Sequence, residues 1–245
     1  MDRGGSDTSG ALVALALGAR YMNLTDVNGF FTTDPRKNRA AQQIPNLTYK
    51  EARALALGGS KLLHPEVARI MGRSGLPTVV RNTFAPGLSG TRITADAEGA
   101  RDELVGVSSR QVLALDIQRA GVDEGPGIMN GVYDELAREG IPYLLSNDGP
   151  DETAIFFDTE VITDPAGLRE IAAEVVRDAE ITVTEMGLVV AVISHNRDYV
   201  RSQVRVSEAA AIADPTVLPS GSLSRQSVEL FTDPRRADQV EAAVH

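Results

Sequence analysis

Apolar positions fall in short blocks along the chain, and the spacing inside the blocks shifts between helix-like and strand-like. Ala11, Leu12, Val13, Leu15 and Ala16 make the body of a helix that Ser6, Asp7 or Thr8 caps and Gly18 ends. The block Tyr21–Thr25 predicts a buried strand that stops at Asp26, with Asn28-Gly29 as a turn and a polar loop through 32–36. Thr48-Tyr49-Lys50-Glu51 has capping-box spacing and opens a helix to about Leu57, which Gly58-Gly59 stops. Pro65 suits the first turn of a further helix to about Arg73, and 76–83 predicts a strand after Gly75. Strand and helix alternating in this way imply an α/β layer with parallel strands.

Residues 84–103 are rich in Gly, Pro, Ala and acidic side chains, show no clear period, and predict a boundary. Beyond it, strands are expected at 112–117, 141–145 and 153–157, and helices at 128–139 and 165–178, a β-α-β-β-α order that begins a ferredoxin-like unit. The order recurs more loosely: a strand at 188–193, a helix at 200–213, short strands near Val217 and at 227–231, and a last helix at 233–244. Two units of similar order suggest an internal duplication.

Composition sharpens this division. Hydrophobic residues are 42% and charged residues 24%, ordinary for a globular chain with a core of Ala, Val, Leu and Ile; Trp is absent. No apolar run is long enough for a membrane span, and Met1 to Gly10 is polar and Gly-rich, unlike a signal peptide. The absence of Cys excludes disulfides and thiol chemistry, and the cytoplasm is the expected compartment. The net charge of −10 hides an asymmetry: residues 1–94 hold 12 Lys+Arg against 6 Asp+Glu, and residues 95–245 hold 12 against 28. A basic part suits phosphate handling, and an acidic part argues against nucleic acid as a partner there; drift between two unrelated domains would give the same imbalance.

Four constellations can carry chemistry. Arg3-Gly4-Gly5-Ser6-Asp7 puts glycines, a guanidinium, a hydroxyl and a carboxylate before a helix N-terminus, where backbone N–H groups favour an anion. The plainer reading is a capped helix. Thr25-Asp26 at a strand's C-terminal end, followed by 31–36, sits where open α/β sheets bind ligands; Asp26 accepts from a ribose or base, Phe31 packs on a flat base and Arg36 meets phosphate. The plainer reading is a surface loop with Asp34-Pro35 as its turn. Gly58-Gly59-Ser60-Lys61-Leu62-Leu63-His64-Pro65 offers a Lys beside a Gly pair as a phosphate contact, although no Walker loop is present; His64 reads as a loop or packing residue. Gly125-Pro126-Gly127 before a helix, with Ser146-Asn147-Asp148 after the next strand, suits either a small zwitterion or turn chemistry alone.

The order and wording of these segments resemble the consecutive motifs of aspartate kinases: Arg3 to Thr8, Leu24 to Arg36, and Gly59 to Pro65. Arg81-Asn82-Thr83-Phe84 with Gly90-Thr91 resembles the end of that family's catalytic domain. The region around Gly125-Pro126-Gly127 resembles its first ACT module; Leu188 to Asn196, Ser224-Arg225-Gln226 and the last helix resemble its second. The resemblance spans essentially the whole chain and is most specific in 3–94. It implies an α/β fold: the C-terminal part of an αβα-sandwich amino-acid-kinase domain (1–94, the nucleotide-binding half), then two ferredoxin-like βαββαβ ACT modules at 104–180 and 181–245.

The family phosphorylates the side-chain carboxylate of L-aspartate with ATP and Mg2+, on the route to lysine, threonine and methionine. By resemblance, Arg3, Ser6 and Asp7 hold or support aspartate, with Arg3 on the α-carboxylate. Thr25, Asp26, Phe31, Arg36, Lys61 and Leu62 line the ATP pocket, and Gly127, Ile128 and Asn147 contact an amino-acid effector of the lysine or threonine class. The ACT modules imply pairing, as a homodimer or with a full-length kinase subunit. Phosphoryl transfer asks for positioning and charge neutralisation, and the substrate carboxylate is itself the nucleophile, so no Ser-His-Asp constellation is required.

The sequence departs from the family pattern. The Lys-x-Gly-Gly segment of the family's first strand, which holds the transferring phosphate, is not in this chain, nor are the upstream Glu and Thr that help bind aspartate. Met1-Asp2 replaces Leu-Gly, Phe31 stands where Tyr is common, and Gly59-Ser60 replaces Gly-Ala. A truncated kinase chain is therefore the first expectation. A non-catalytic regulatory subunit that binds an amino acid is the alternative, and other amino-acid kinases fit less well because of the ACT pair.

Overall fold

The computed structural model describes residues 5–96, 103–119, 128–194, 198–220 and 225–245. Its first part holds α1 (Gly5–Ala16), β1 (Tyr21–Thr25), β2 (Asn46–Thr48), α2 (Tyr49–Leu57), α3 (Pro65–Ser74), β3 (Thr78–Asn82) and β4 (Thr91–Thr94). The capping box forms: the Thr48 hydroxyl accepts from Glu51 N at 3.1 Å, and the Glu51 carboxylate accepts from Thr48 N at 2.7 Å. Pro65 opens α3, His64 caps it through Nδ1, and Gly75 closes it with φ +70°. The His64 ring therefore serves the helix, in line with its plainer reading.

The four strands make one sheet in the order β1-β3-β4-β2. β1 runs parallel to β3, and β4 antiparallel to it. Leu47, Val80 and Ile93 face a core shared with Ala11, Ala14, Ala52, Leu55, Val67 and Met71 from the three helices. On the opposite face Met22, Leu24 and Arg92 are exposed, and among the described residues no helix covers them. Leu12, Val13, Leu15 and Leu17 of the first helix and its exit also face solvent. Burying one such side chain is worth about 1.5–3 kcal/mol, a stabilisation these exposed positions do not contribute. β2 and β4 were not foreseen; β4 lies within the stretch read as an irregular boundary.

The second part holds β5 (Leu104–Gln118), α4 (Ile128–Arg138), β6 (Leu145–Asp148), β7 (Glu152–Asp158), α5 (Pro165–Val175), β8 (Glu180–Ile193), α6 (Tyr199–Ala213), β9 (Leu218–Pro219), β10 (Ser227–Thr232) and α7 (Ala237–Val244). They form a six-stranded sheet ordered β6-β7-β5-β8-β10-β9. β5 and β8 pair antiparallel along their whole length, from Leu104↔Ile193 to Gln118↔Glu180. The distal half of β5 also pairs with β7, and the distal half of β8 with β10.

Two ferredoxin-like units thus share two long strands. The first is β5 from Val112 onward, α4, β6, β7, α5 and the start of β8. The second is the end of β8, α6, β9, β10 and α7, with its fourth strand taken from residues 104–111. The expected 180/181 boundary falls at the first two residues of β8, the strand whose start belongs to the first unit and whose end belongs to the second. Strands expected at 112–117 and 188–193 are only halves of β5 and β8. All four helices lie on one face of the sheet, where Leu113, Leu115, Ile155 and Phe157 pack on α4 and α5, and Val189, Ala191 and Leu230 on α6 and α7. The other face receives α2. The sheet curls enough for Phe156 to stack on Phe231 at 4.0 Å and for the Ser220 hydroxyl to reach Asn147 at 3.1 Å, joining opposite sheet ends.

Candidate functional site

The parallel strands β1 and β3 end side by side: Thr83 N donates to Thr25 O at 2.8 Å. This edge gathers polar side chains. The Thr25 hydroxyl donates to Asp26 Oδ1 at 3.1 Å, and Asn82 Nδ2 donates to Asn28 Oδ1 at 2.7 Å. Phe84, whose N–H donates to Asn82 Oδ1 at 2.8 Å, leaves its ring 82% exposed beside them. Carboxyl ends of parallel strands are where open sheets accept ligands. Asn28, Asn82 and Phe84 were not picked out for binding; only the likeness of 81–84 to a family motif marked that segment.

The loop after this edge is tightly ordered. Thr32 N donates to Gln42 O at 2.8 Å, Phe31 bridges to Gln43, and Phe30 is buried in the core, which leaves the half-buried Phe31 ring at the surface. Asp34 grips Arg36 with both oxygens, at 3.1 Å to Nε and 2.9 Å to Nη2. The Arg36 hydrogen bond holds the Asp34 carboxyl below its usual range. Asp34 and, more weakly, the charge of Asp26 raise the Arg36 guanidinium, whose side chain is 88% exposed.

Leu62 lies next to β1, its carbonyl accepting from Asn23 Nδ2 at 2.8 Å. Lys61 is exposed and pairs with Glu160, just past β7. Gly58 packs directly against β5. A Cβ there would stand 2.1 Å from Ser108 Oγ and 2.7 Å from Ser108 O, so the residue lets α2 end directly on β5. Ser6 and Asp7 lie in the first turn of α1, Ser6 exposed. Burial, and then the Asp7 charge, push the Tyr21 hydroxyl up, and the Tyr21 ring packs on Gly10.

Arg3 and Gly127 lie outside the described residues. Ile128 begins α4. Asn147 sits on β6 where the two ferredoxin-like units meet, accepting from Ser220. Among the described residues, no group of three or more His, Asp or Glu is placed to hold a metal ion, and no helix is long and apolar enough to cross a membrane.

The charge asymmetry has a structural outlet. Lys37 and Lys61 of the basic part pair with Asp238, Glu241 and Glu160 of the acidic part. At least two of the cations set aside for phosphate by composition are engaged between the two parts.

The sequence model of the amino acid kinase family matches residues 1–82. The chain is 25% identical over 220 residues to aspartokinase 3 of Bacillus subtilis, covering 88% of this chain and 48% of that one. It is 30% identical over 159 residues to the bifunctional aspartokinase/homoserine dehydrogenase of Haemophilus influenzae, covering 64% and 20%. By fold, the E. coli aspartokinase III complex with aspartate and ADP superposes with a TM-score of 0.81 at 26% identity, over 99% of this chain and 55% of that one.

The resemblance to the aspartate kinases is borne out. It runs over nearly the full 245 residues, through the four-stranded part and both ferredoxin-like units. The fold class is the expected α/β one: aspartate kinase catalytic architecture followed by ACT regulatory architecture. The chain spans about half the length of the Bacillus and E. coli aspartate kinases and a fifth of the bifunctional one.

Proposed function

We propose that this chain supplies the nucleotide-binding part and the ACT regulatory pair of an aspartate kinase. The reaction is ATP-dependent phosphorylation of the L-aspartate side-chain carboxylate to 4-phospho-L-aspartate. The carrying observation is the edge where β1 and β3 end side by side, with Thr25, Asp26, Asn28 and Asn82 gathered there, in a fold that matches an aspartate kinase solved with aspartate and ADP.

In this reading Thr25 and Asp26 accept or donate to the nucleoside at the strand ends, and Phe31 presents its half-buried ring to the base. Arg36 has one edge of its guanidinium held by Asp34 and keeps the rest for phosphate. Leu62 adds an apolar contact beside β1. Lys61 reaches phosphate only by leaving Glu160, an exposed pair that is cheap to break. Mg2+ enters with the phosphates, whose oxygens supply ligands that the described side chains do not gather. Arg3, Ser6 and Asp7 serve aspartate. Gly127, Ile128 and Asn147 serve an amino-acid effector of the lysine or threonine class; lysine and aspartate are bound in a second E. coli aspartokinase III structure of the same fold. Pairing through the ACT modules follows, with a second copy or with a full-length kinase subunit.

These 245 residues contain no Lys-x-Gly-Gly segment. The pure chain is therefore expected to bind MgATP but to form no aspartyl hydroxamate above a no-aspartate blank. Aspartate-dependent turnover by this chain alone would overturn that division of labour. Control of an added full-length kinase by an amino acid, without MgATP binding here, would favour the regulatory-subunit alternative.

A further inference from the structure

The loop carrying Phe31 and Arg36 is held from the far end of the chain. Thr33, between those two residues, is buried and donates its hydroxyl to Glu241 Oε1 on α7 at 2.5 Å. The second Glu241 oxygen accepts from Ser109 of β5. Lys37 Nζ lies 2.6 Å from Asp238 Oδ1 and 3.9 Å from Glu241 Oε2. The His245 ring meets Thr32 Oγ1 at 2.8 Å and Asn38 Nδ2 at 3.4 Å. Underneath, Val107 N donates to Thr32 O at 2.7 Å. One turn of α7 and the residue after it thus touch the loop at Thr32, Thr33, Lys37 and Asn38.

Glu241 is only 3% exposed. A buried carboxylate is costly unless each oxygen finds a donor, and an apolar side chain fills an ordinary helix–loop contact more cheaply. Here both oxygens are met, one by the loop and one by the strand shared between the ferredoxin-like units. The charge fixes a distance and a direction that apolar packing leaves loose.

We infer that Glu241 is a positioning residue for nucleotide binding: through Thr33, α7 of the second regulatory unit holds Phe31 and Arg36 in the geometry that receives the nucleotide. This rests on the nucleotide reading of that loop. It also gives the regulatory part a direct grip on the catalytic part, separate from any effector contact.

The test is calorimetric titration of MgATP into the full chain and its variants, well below each variant's Tm. Glu241→Ala is expected to weaken MgATP binding about tenfold, as loss of a hydrogen bond to a charged group would, and Glu241→Gln to recover most of it. Thr33→Val should weaken binding similarly. The double variant Glu241→Ala/Thr33→Val should be no weaker than Glu241→Ala alone, because both changes remove one bond. Asp238→Asn, at an exposed site with no folding risk, should cost about twofold through Lys37.

A purely structural role would lower Tm and leave the Kd of the folded protein, and the additivity of the pair, unchanged; that result overturns the inference. If Glu241→Ala does not fold, wild-type Kd values for both Thr33→Val and Asp238→Asn overturn it equally. If the unmodified chain binds no MgATP, the nucleotide reading itself falls and this inference with it.

Discussion

Asp214 is a carboxylate that receives donors from three sides. Thr232 gives its hydroxyl, Thr216 gives its N–H at 3.0 Å and its hydroxyl at 2.7 Å, and Arg236 approaches at 3.2 Å. These bonds, Thr232 first, hold its pKa below the ordinary 3.8. A depressed acid contributes stability that is present above its unfolded pKa and is lost as pH falls through the folded one. Urea midpoints should therefore be flat near neutrality and fall below about pH 4. Asp214→Asn should lower the neutral midpoint and shrink the acid-dependent part of the curve; an unchanged pH profile would show that Asp214 is not its source. In the sequence this residue is legible only as the stop after a helix ending at Ala213. Its partners Thr232 and Arg236 are about twenty residues away, and neither period nor composition brings them near.

At the scale of elements, legibility followed burial pattern. The α2 capping box and the Pro65 start are local chemistry, and both formed as spaced. The proximal half of β5 is not legible because Gly106, Ser108, Ser109 and Arg110 are small or polar for contacts with the Thr32 backbone, α2, α7 and Asp158, so no apolar alternation announces a strand. The early part of β8 is different: Ile181 and Val183 alternate with exposed Glu180, Thr182 and Thr184, the period of a half-buried strand, and only the fully apolar run 188–193 is read as one. β6 was expected at 141–145 but occupies Leu145–Asp148, since Ile141 packs with the helices instead.

Gly58 marks where α2 meets β5, and the meeting is too close for a side chain. Gly58→Ala must push against the Ser108 carbonyl, 2.7 Å from the added carbon, and should cost about 1–3 kcal/mol in urea denaturation. Adding Ser108→Ala removes the hydroxyl clash alone and should restore only a small share. Full restoration would mean that the backbone contact is softer than its geometry.

For the whole molecule, the candidate site divided along the same line. Residues within 21–36 are legible because strand end, turn and loop are consecutive. The α7 contacts to Thr33 and Lys37 cross about 200 positions, and only the opposite charges of the two parts hinted at them. Shared strands also govern cooperativity. A fragment of residues 181–245 lacks the 104–111 strand that pairs with the end of β8, so it should show no dispersed amide spectrum by itself. A well-folded 181–245 monomer would refute that dependence.

The same pairing has a consequence for how the chain can be edited. Gln111 and Gly187 are register partners on adjacent antiparallel strands, and the helices and strands described between them belong to the first ferredoxin-like unit. That unit is nested inside the second like a clause in parentheses. A deletion that joins position 111 to position 187 through a short hairpin turn removes the strands and helices of the first unit in a single cut, and leaves the second with all four strands and its hold on Thr33.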